Sequence, residues 1–510
     1  MSRIILTTLN ARYSHASLGL RYLYANMGSL QPDTSLLEFT IADRPEVLAE
    51  KLLACNPDIV GIGVYIWNIE PVTQLVALLR VLRPALCIVL GGPEVSHEWA
   101  QQPVFQWCSY VITGAADLAF RDLCLAVLAG SAPAGRVIQG GTPDLAQIQL
   151  PYAFYSDHDI AHRILYVEAS RGCPFKCEFC LSALDKTATA FQQERFLAAL
   201  EDLWARGARQ FKFVDRTFNL NIAASQRILA FFLERMEPGV FVHFEVIPDH
   251  LPESLKTMLA QFPEGALQLE IGVQSFNPEV QARIQRRQDN DRTAANLRWL
   301  RQDSRAHLHV DLIAGLPGED LASFAAGFNR LVALDPHEIQ LGILKRLRGA
   351  PIARHDVSSA MRYHPYPPYT VVSTDGMDFS TLQRIGRFAR YWDLVANSGR
   401  FQKTRRLLLG EAPFERFMQF SDWLYATVGR THEISLDRLY DALYEALTGV
   451  LEMDAGEVRA ALADDHRTSG IKRIPRCLEG PRNQVNRPAV ERAEAMMPRR
   501  QSRHLAGTAE

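Results

Sequence analysis

Ile164-Leu165-Tyr166-Val167-Glu168-Ala169-Ser170-Arg171-Gly172-Cys173-Pro174-Phe175-Lys176-Cys177-Glu178-Phe179-Cys180 is the most informative stretch of the 510-residue chain. An apolar β-rich run, Ile164–Ala169, delivers the backbone into a loop with three cysteines at x3 and x2 spacing. Soft thiolates favour iron–sulfur clusters or zinc. Such a loop can wrap three thiolates around one corner of a cubane cluster, leaving the fourth iron open unless a distant cysteine supplies a ligand. Zinc is the alternative, and it typically takes four tetrahedral ligands. No fourth Cys or His follows at ligand spacing: the next histidine is His243, and His158 and His162 precede the strand. The spacing therefore predicts a metal centre at Cys173, Cys177 and Cys180. The isolated Cys55, Cys87, Cys108 and Cys124 read as small buried hydrophobes. Cys477 reads as a free thiol, with a late fourth ligand as the alternative.

Working outward, the cysteine loop follows the first strand of an alternating series. Strands are predicted at Ile164–Ala169, Phe211–Asp215, Phe241–Ile247, Leu267–Val273, Leu308–Ala314 and Glu338–Leu344. Helical spacing fills gaps at Phe191–Arg206, Ala223–Arg235 and Pro278–Arg301. Six strand-helix units over residues 160–345 predict a partial (β/α)6 barrel with its chemistry at the C-terminal ends of the strands.

An earlier series occupies residues 1–135. Its strands are predicted at Arg3–Leu9, Leu36–Ile41, Asp58–Tyr65, Leu86–Leu90 and Tyr110–Thr113, with helices such as Pro45–Cys55 and Ile69–Leu82. The third strand is apolar on both faces, as a central buried strand should be. This pattern predicts an N-terminal doubly wound parallel sheet whose ligand sits beyond the strands' carboxyl ends. Gly130–Pro151 reads as a linker. Tyr363-His364-Pro365-Tyr366-Pro367-Pro368-Tyr369 reads as an extended loop, because proline removes donors and restricts its neighbours. Its tyrosines face a substrate channel or pack an interface. A mostly helical C-terminal region is predicted over 346–470. Residues 471–510, with nine Lys/Arg against four Glu, read as a loosely ordered basic tail.

Composition narrows the function classes. Lys+Arg is 55 and Asp+Glu 57, so bulk electrostatic binding to nucleic acid or anionic lipid has no support. No apolar run reaches the ~18 residues of a membrane span. The N-terminus turns polar too soon for a signal peptide. A cytoplasmic location follows as the expectation, with the eight cysteines reduced.

Cys173-x3-Cys177-x2-Cys180, with the aromatic Phe179 directly before the third cysteine, resembles the radical S-adenosylmethionine (SAM) superfamily over about residues 160–345. The resemblance implies a 4Fe-4S cluster whose unique iron is chelated by the amino and carboxylate groups of SAM. Electron transfer then gives methionine and a 5′-deoxyadenosyl radical. It also implies cofactor contacts at Phe179, at Asp215 (methionine amino group), at Gln274 and Ser275 (ribose or carboxylate) and at Gly315 (adenine, through backbone). Read as residues alone, Asp215 also suits a turn cap, and Gln274-Ser275 a helix-capping pair before Pro278.

The first ~130 residues resemble the cobalamin-binding domain of cobalamin-dependent radical SAM proteins. Leu90-Gly91-Gly92-Pro93-Glu94 follows the fourth strand, where paired glycines let backbone approach a nucleotide tail. Gly61 and Gly63 suggest a further close approach. Tyr65, Trp67 and Asn68 suit a cobalamin wall or ordinary core packing. The Asp-x-His-x-x-Gly motif that places histidine on cobalt is absent, since Tyr13 stands in the Asp position and glycine follows His15 only at Gly19. His15 therefore reads as a loop residue. Gly114-Ala115-Ala116-Asp117 replaces the Gly-Glu-Gly-Glu common in relatives.

These resemblances imply a radical SAM enzyme with a 4Fe-4S cluster, SAM and cobalamin that methylates an unactivated carbon. Rearrangement or cyclisation without methyl transfer, and a non-catalytic cobalamin- or redox-responsive module, are the alternatives. The expected partners are an electron donor such as flavodoxin or ferredoxin and a small-molecule substrate rather than RNA, with no membrane.

Overall fold

The computed structural model describes residues 3–469, 473–479 and 499–505. They divide into two compact units: residues 1–218 with 345–354 and 363–370, and residues 219–344 with 355–362 and 371–510.

The first unit opens with β1 (Ile4–Asn10), α1 (Leu18–Ala25), β2 (Thr34–Thr40), α2 (Pro45–Ala54), β3 (Ile59–Gly63), α3 (Ile69–Leu82) and β4 (Cys87–Gly91). A short α4 (Pro93–Ser96), β5 (Tyr110–Gly114), α5 (Ala119–Leu128) and β6 (Val137–Gly141) complete the sheet. Strand order is β2-β1-β3-β4-β5-β6, and all pairs are parallel. The doubly wound sheet of the sequence analysis is therefore present. Every residue of β1 is buried, and neighbours along it alternate between two cores. Ile5 joins Val60, Ile62 and Val72 on one face. Ile4 and Leu6 join Ile59, Val89 and Phe120 on the other. That two-sided burial follows from period-2 side chains with helices covering both faces. Cys108 belongs to the first core, Cys87 and Cys124 to the second, as small hydrophobes.

One expectation is corrected here. Gly130–Pro151 is not simply a linker, because β6 lies within it and pairs with β5 at Val111↔Val137. Its pattern is half-buried, and only Val137 and Ile138 of its five residues favour a strand before Gly140-Gly141, so the run is too short to stand out.

The first unit continues through α6 (Asp157–His162), β7 (Leu165–Val167), a two-residue β8 (Ser170–Arg171), a two-residue β9 (Thr189–Ala190), α7 (Gln193–Ala205) and β10 (Gln210–Phe213). β7 and β10 pair in parallel. β8 and β9 pair antiparallel and bracket the cysteine loop.

The second unit carries α8 (Ile222–Leu233), β11 (Phe241–Val246), α9 (Glu253–Leu259), β12 (Leu267–Gln274), α10 (Pro278–Arg283), α11 (Asn290–Asp303), β13 (His307–Ala314), α12 (Leu321–Val332) and β14 (Glu338–Ile343). β11 to β14 pair successively in parallel. These four strands, and β7 and β10 of the first unit, are the six strands predicted over residues 160–345. Strict alternation of burial along β12 places one side of the strand on the core.

The helical C-terminal region is also present, as α13 (Phe379–Val395), α14 (Gln402–Leu409), α15 (Pro413–Val428), α16 (Leu436–Gly449) and α17 (Ala455–Ser469). Its core is aromatic: Phe328 of α12 meets Trp392 at 4.8 Å between ring centroids, and Phe388 meets Phe417 at 4.7 Å. Each such pair adds about 0.5–1.5 kcal/mol beyond area burial. The basic tail is not loose throughout. Residues 499–505 form α18 (Arg499–Leu505), which buries Gln501 and His504. The rest of that expectation, apart from 473–479, lies outside the described residues.

Candidate functional site

The cysteine loop is built from backbone. Gly172 has φ +86°, and a Cβ there would lie 2.8 Å from the Ala188 nitrogen, so only glycine takes the chain from β8 into the loop. The Cys173 N–H donates to the Asp185 carbonyl (2.8 Å), and the Cys180 N–H to the Cys177 carbonyl (3.1 Å). Cys173 and Cys177 are buried, whereas Cys180 and Phe179 are half-buried. Burial pushes the Cys173 thiol up, and the neighbouring Cys180 and Cys177 add to the rise. A cation placed among the three thiols would reverse that direction. Glu178, between the cysteines, is buried and ion-paired with Arg354, and its carbonyl accepts the Ile352 N–H (2.9 Å).

The cysteine trio offers three soft thiolates, one short of the four ligands that tetrahedral zinc typically takes and enough for three irons of a cubane. The Cys477 thiol is pushed up to about 12 by burial and by its bond to Asp441, as suits a protonated free thiol.

Asp215 lies just past β10 and is buried. Its carboxylate accepts the Ala169 N–H (2.9 Å) and the Ser170 hydroxyl (2.5 Å). It thereby clamps the exit of β7 just ahead of the cysteine loop. Burial raises it to about 7. In the second unit, Gln274 ends β12 at a bulge with φ +69°, rare for a side chain of its size. Its Oε1 is buried with no hydrogen-bond partner among the described atoms. Ser275 donates to Glu319 Oε1 (2.6 Å) and accepts the Asn277 N–H (3.1 Å). The cap of α10 is Asn277, so Gln274 and Ser275 are not a capping pair. Gly315 has φ +82°, and a Cβ there would lie 2.5 Å from Val371. The turn thus needs glycine for conformation and packing.

Glu319 is not among the residues that the sequence motifs assign a role. It closes Gly315-Leu316-Pro317-Gly318-Glu319, is buried, and keeps Oε2 without a partner among the described atoms. Burial raises it to about 7. An acidic residue directly after a turn motif was the available signal.

In the first unit, a cavity of about 400 Å³ opens at the carboxyl ends of β3, β4 and β5. Its wall includes Gly63, Tyr65, Gly91, Gly92, Phe120 and Arg171. This is where doubly wound sheets bind ligands, and the size suits one end of a large ligand. The glycines divide by role. A Cβ at Gly91 would meet nothing closer than 3.9 Å, so its missing side chain leaves room in the cavity. Gly92 has φ +111° and a Cβ there would lie 2.5 Å from the Val64 carbonyl, so it serves the turn. Gly61 is filled by the Phe120 ring. Tyr65 stacks on Trp67 (centroids 4.4 Å, 6° between planes), and Trp67 is 46% exposed. Asn68 is buried and binds Tyr65, Thr8, Leu9 and Gly63, so it shapes the loop rather than a wall. His15 is outside the cavity wall, with Nδ1 2.5 Å from the Tyr166 hydroxyl.

Arg171 joins the cavity to the cysteine loop. Its guanidinium donates twice to Asp117 (2.9 and 3.0 Å) and once to Glu168 (2.9 Å), and it lies over the Tyr22 ring. All three charged residues line the cavity, and Cys173 follows two positions on. Asp117, the acidic residue that Gly114-Ala115-Ala116-Asp117 keeps, is thus the partner that holds Arg171.

Comparison with known proteins identifies three segments of the chain. Residues 4–124 match the B12 binding domain, residues 167–330 the radical SAM superfamily, and residues 359–503 a protein family of unknown function, DUF4080. The chain thus carries a B12 binding domain followed by a radical SAM domain. Among its relatives is the cobalamin-dependent radical SAM methyltransferase TokK of Streptomyces tokunonensis, 26% identical over 57% of this chain and 47% of that one. Another is the 2-(S-pantetheinyl)-carbapenam-3-carboxylate methyltransferase of Streptantibioticus cattleyicolor, 24% identical over 56% and 46%. The chain therefore spans about half the length of these relatives. The radical SAM methyltransferase TsrM of Kitasatospora setae, solved with cobalamin and a [4Fe-4S] cluster, shares the fold at a TM-score of 0.57, with 17% identity over 74% of this chain and 82% of that one. No described helix is long and apolar enough to cross a membrane.

Proposed function

We infer that this chain is a cobalamin-dependent radical SAM enzyme that methylates an unactivated carbon of a small molecule. The observation that carries the reading is Arg171, which lies in the wall of the ligand cavity and two residues ahead of the first cluster cysteine. Cys173, Cys177 and Cys180 would hold a 4Fe-4S cluster, and the cavity beyond β3–β5 would hold one end of cobalamin. When bound, the cluster with SAM supplies hydrogen abstraction and the corrinoid supplies a methyl group.

The chain's own residues position these groups. Asp215 fixes Ala169 and Ser170, and so sets where the cysteine loop begins. Gln274 Oε1, buried and unpartnered, is an acceptor for an amino or hydroxyl group of SAM. Ser275 is held by Glu319 and offers its oxygen at the same strand end. Gly315 gives backbone close to an adenine, and Phe179 and Tyr65 give flat apolar surface to the adenosyl and corrin groups. Gly91 keeps the cavity open, and Gly92 makes the turn that puts it there. The reductant would be a flavodoxin or ferredoxin, and the setting a reducing cytoplasm.

The test uses the full chain, purified anaerobically and loaded with iron, sulfide and hydroxocobalamin. Iron–sulfur and corrin absorption bands report loading separately. With dithionite and SAM, the expected products are 5′-deoxyadenosine and S-adenosylhomocysteine, the latter dependent on cobalamin. 5′-Deoxyadenosine alone would favour rearrangement or cyclisation. Neither product from doubly loaded protein would overturn the enzymatic reading.

A further inference from the structure

β13 begins with His307 and β14 with Glu338, and α18 brings His504 against them. One ligand atom of each lies within 4.8 Å of the other two, and all three residues are buried. His307 Nε2 is 3.0 Å from Glu338 Oε1. The second carboxylate oxygen, Oε2, accepts from Arg500 (2.8 Å), which also pairs with Asp393 (2.6 Å). His504 Nε2 donates to the Asn397 carbonyl (3.0 Å), and the Gln402 amide lies 3.4 Å from its Nδ1. His337 stacks on His307 at 4.7 Å, and its Nδ1 accepts the Leu308 N–H.

We propose that His307, Glu338 and His504 form a structural site for a divalent cation of the zinc class, which pins α18 to the start of β13 and β14. Two imidazoles and one carboxylate with a water as fourth ligand are a zinc donor set best known from catalytic sites; here the burial of all three ligands leaves the metal a structural role. A metal-binding carboxylate or histidine is normally oriented by a further hydrogen bond, as Arg500 and Asn397 provide here. The N-terminal ends of barrel strands serve stability rather than chemistry. A plain His307–Glu338 hydrogen bond would explain two of the residues but not the third histidine converging on them.

Metal analysis of the full chain, purified with its cluster, tests this. About one zinc per chain is expected beside the cluster iron. His504→Gln and Glu338→Gln should each remove most of that zinc, with iron content and visible absorption unchanged, which separates this site from the cysteine centre. Added Zn2+ should raise the melting temperature of zinc-stripped wild type by several degrees and leave the variants unmoved. A wild-type protein that holds no zinc and whose melting temperature ignores Zn2+ would overturn the proposal, as would variants that keep it. If a variant fails to fold, the response of the stripped wild type decides.

Discussion

Cys177 and Asp215 show how differently two site residues act. Cys177→Ala leaves two thiolates, too few for a cubane corner, so iron content and visible absorption should both fall to background. Asp215 acts through hydrogen bonds to Ala169 and Ser170, and its pH behaviour exposes it. Burial raises its pKa from the ordinary 3.8 to about 7, so the folded state keeps a proton that the unfolded state has lost. Stability attributable to Asp215 is therefore greatest below about pH 4 and falls as pH rises toward 7, with a slope of at most about 1.4 kcal/mol per pH unit. Asp215→Asn retains an acceptor for the Ala169 N–H and a donor for Ser170. It should flatten urea-unfolding stability between pH 4 and 7 relative to wild type. An unchanged slope would mean that Asp215 is ionised in the folded protein.

At the scale of elements, the β4–α4 turn separates folding from binding within two adjacent glycines. Gly92→Ala meets the Val64 carbonyl at 2.5 Å from a positive φ. It should destabilise by about 1–3 kcal/mol, read as a lower melting temperature. Gly91→Val has room at its Cβ, yet its methyl groups enter the cavity wall. It should leave the melting temperature nearly unchanged and weaken hydroxocobalamin binding, measured by absorbance titration. Comparable losses of stability from both would place Gly91 with the turn instead. The element scale also shows why β6 escaped the sequence reading. A short, half-buried edge strand that ends in two glycines has too few apolar residues to leave a periodic trace. β1 and β3, buried on both faces, left a clear one.

At the scale of the whole molecule, Arg171 is the residue that lies both in the wall of the first-unit cavity and two positions ahead of Cys173. Arg171→Ala would strand Asp117 and Glu168 without a counter-charge in a mostly buried setting. The expected cost is about 3 kcal/mol, the low end for a broken buried pair, because the guanidinium keeps some exposure. Cluster iron and bound corrinoid should fall together. Lysine should not rescue, since it cannot donate bidentately to Asp117 while bonding Glu168. Loss of one cofactor with full retention of the other would show that the two sites are independent.

The sequence by itself determined the alternating α/β pattern and the thiol trio, because both are local: period-2 burial repeats along each strand, and three cysteines within eight residues share one loop. It could not assign the second rank of residues. Glu319 meets Ser275 across 44 positions, Asp117 meets Arg171 across 54, and His504 reaches Glu338 from the far end of the chain. Whether Gly91 opens a cavity while Gly92 only makes a turn depends on what stands opposite each. Only tertiary structure decides such pairings, since a buried polar group takes its meaning from the partner that folding brings to it.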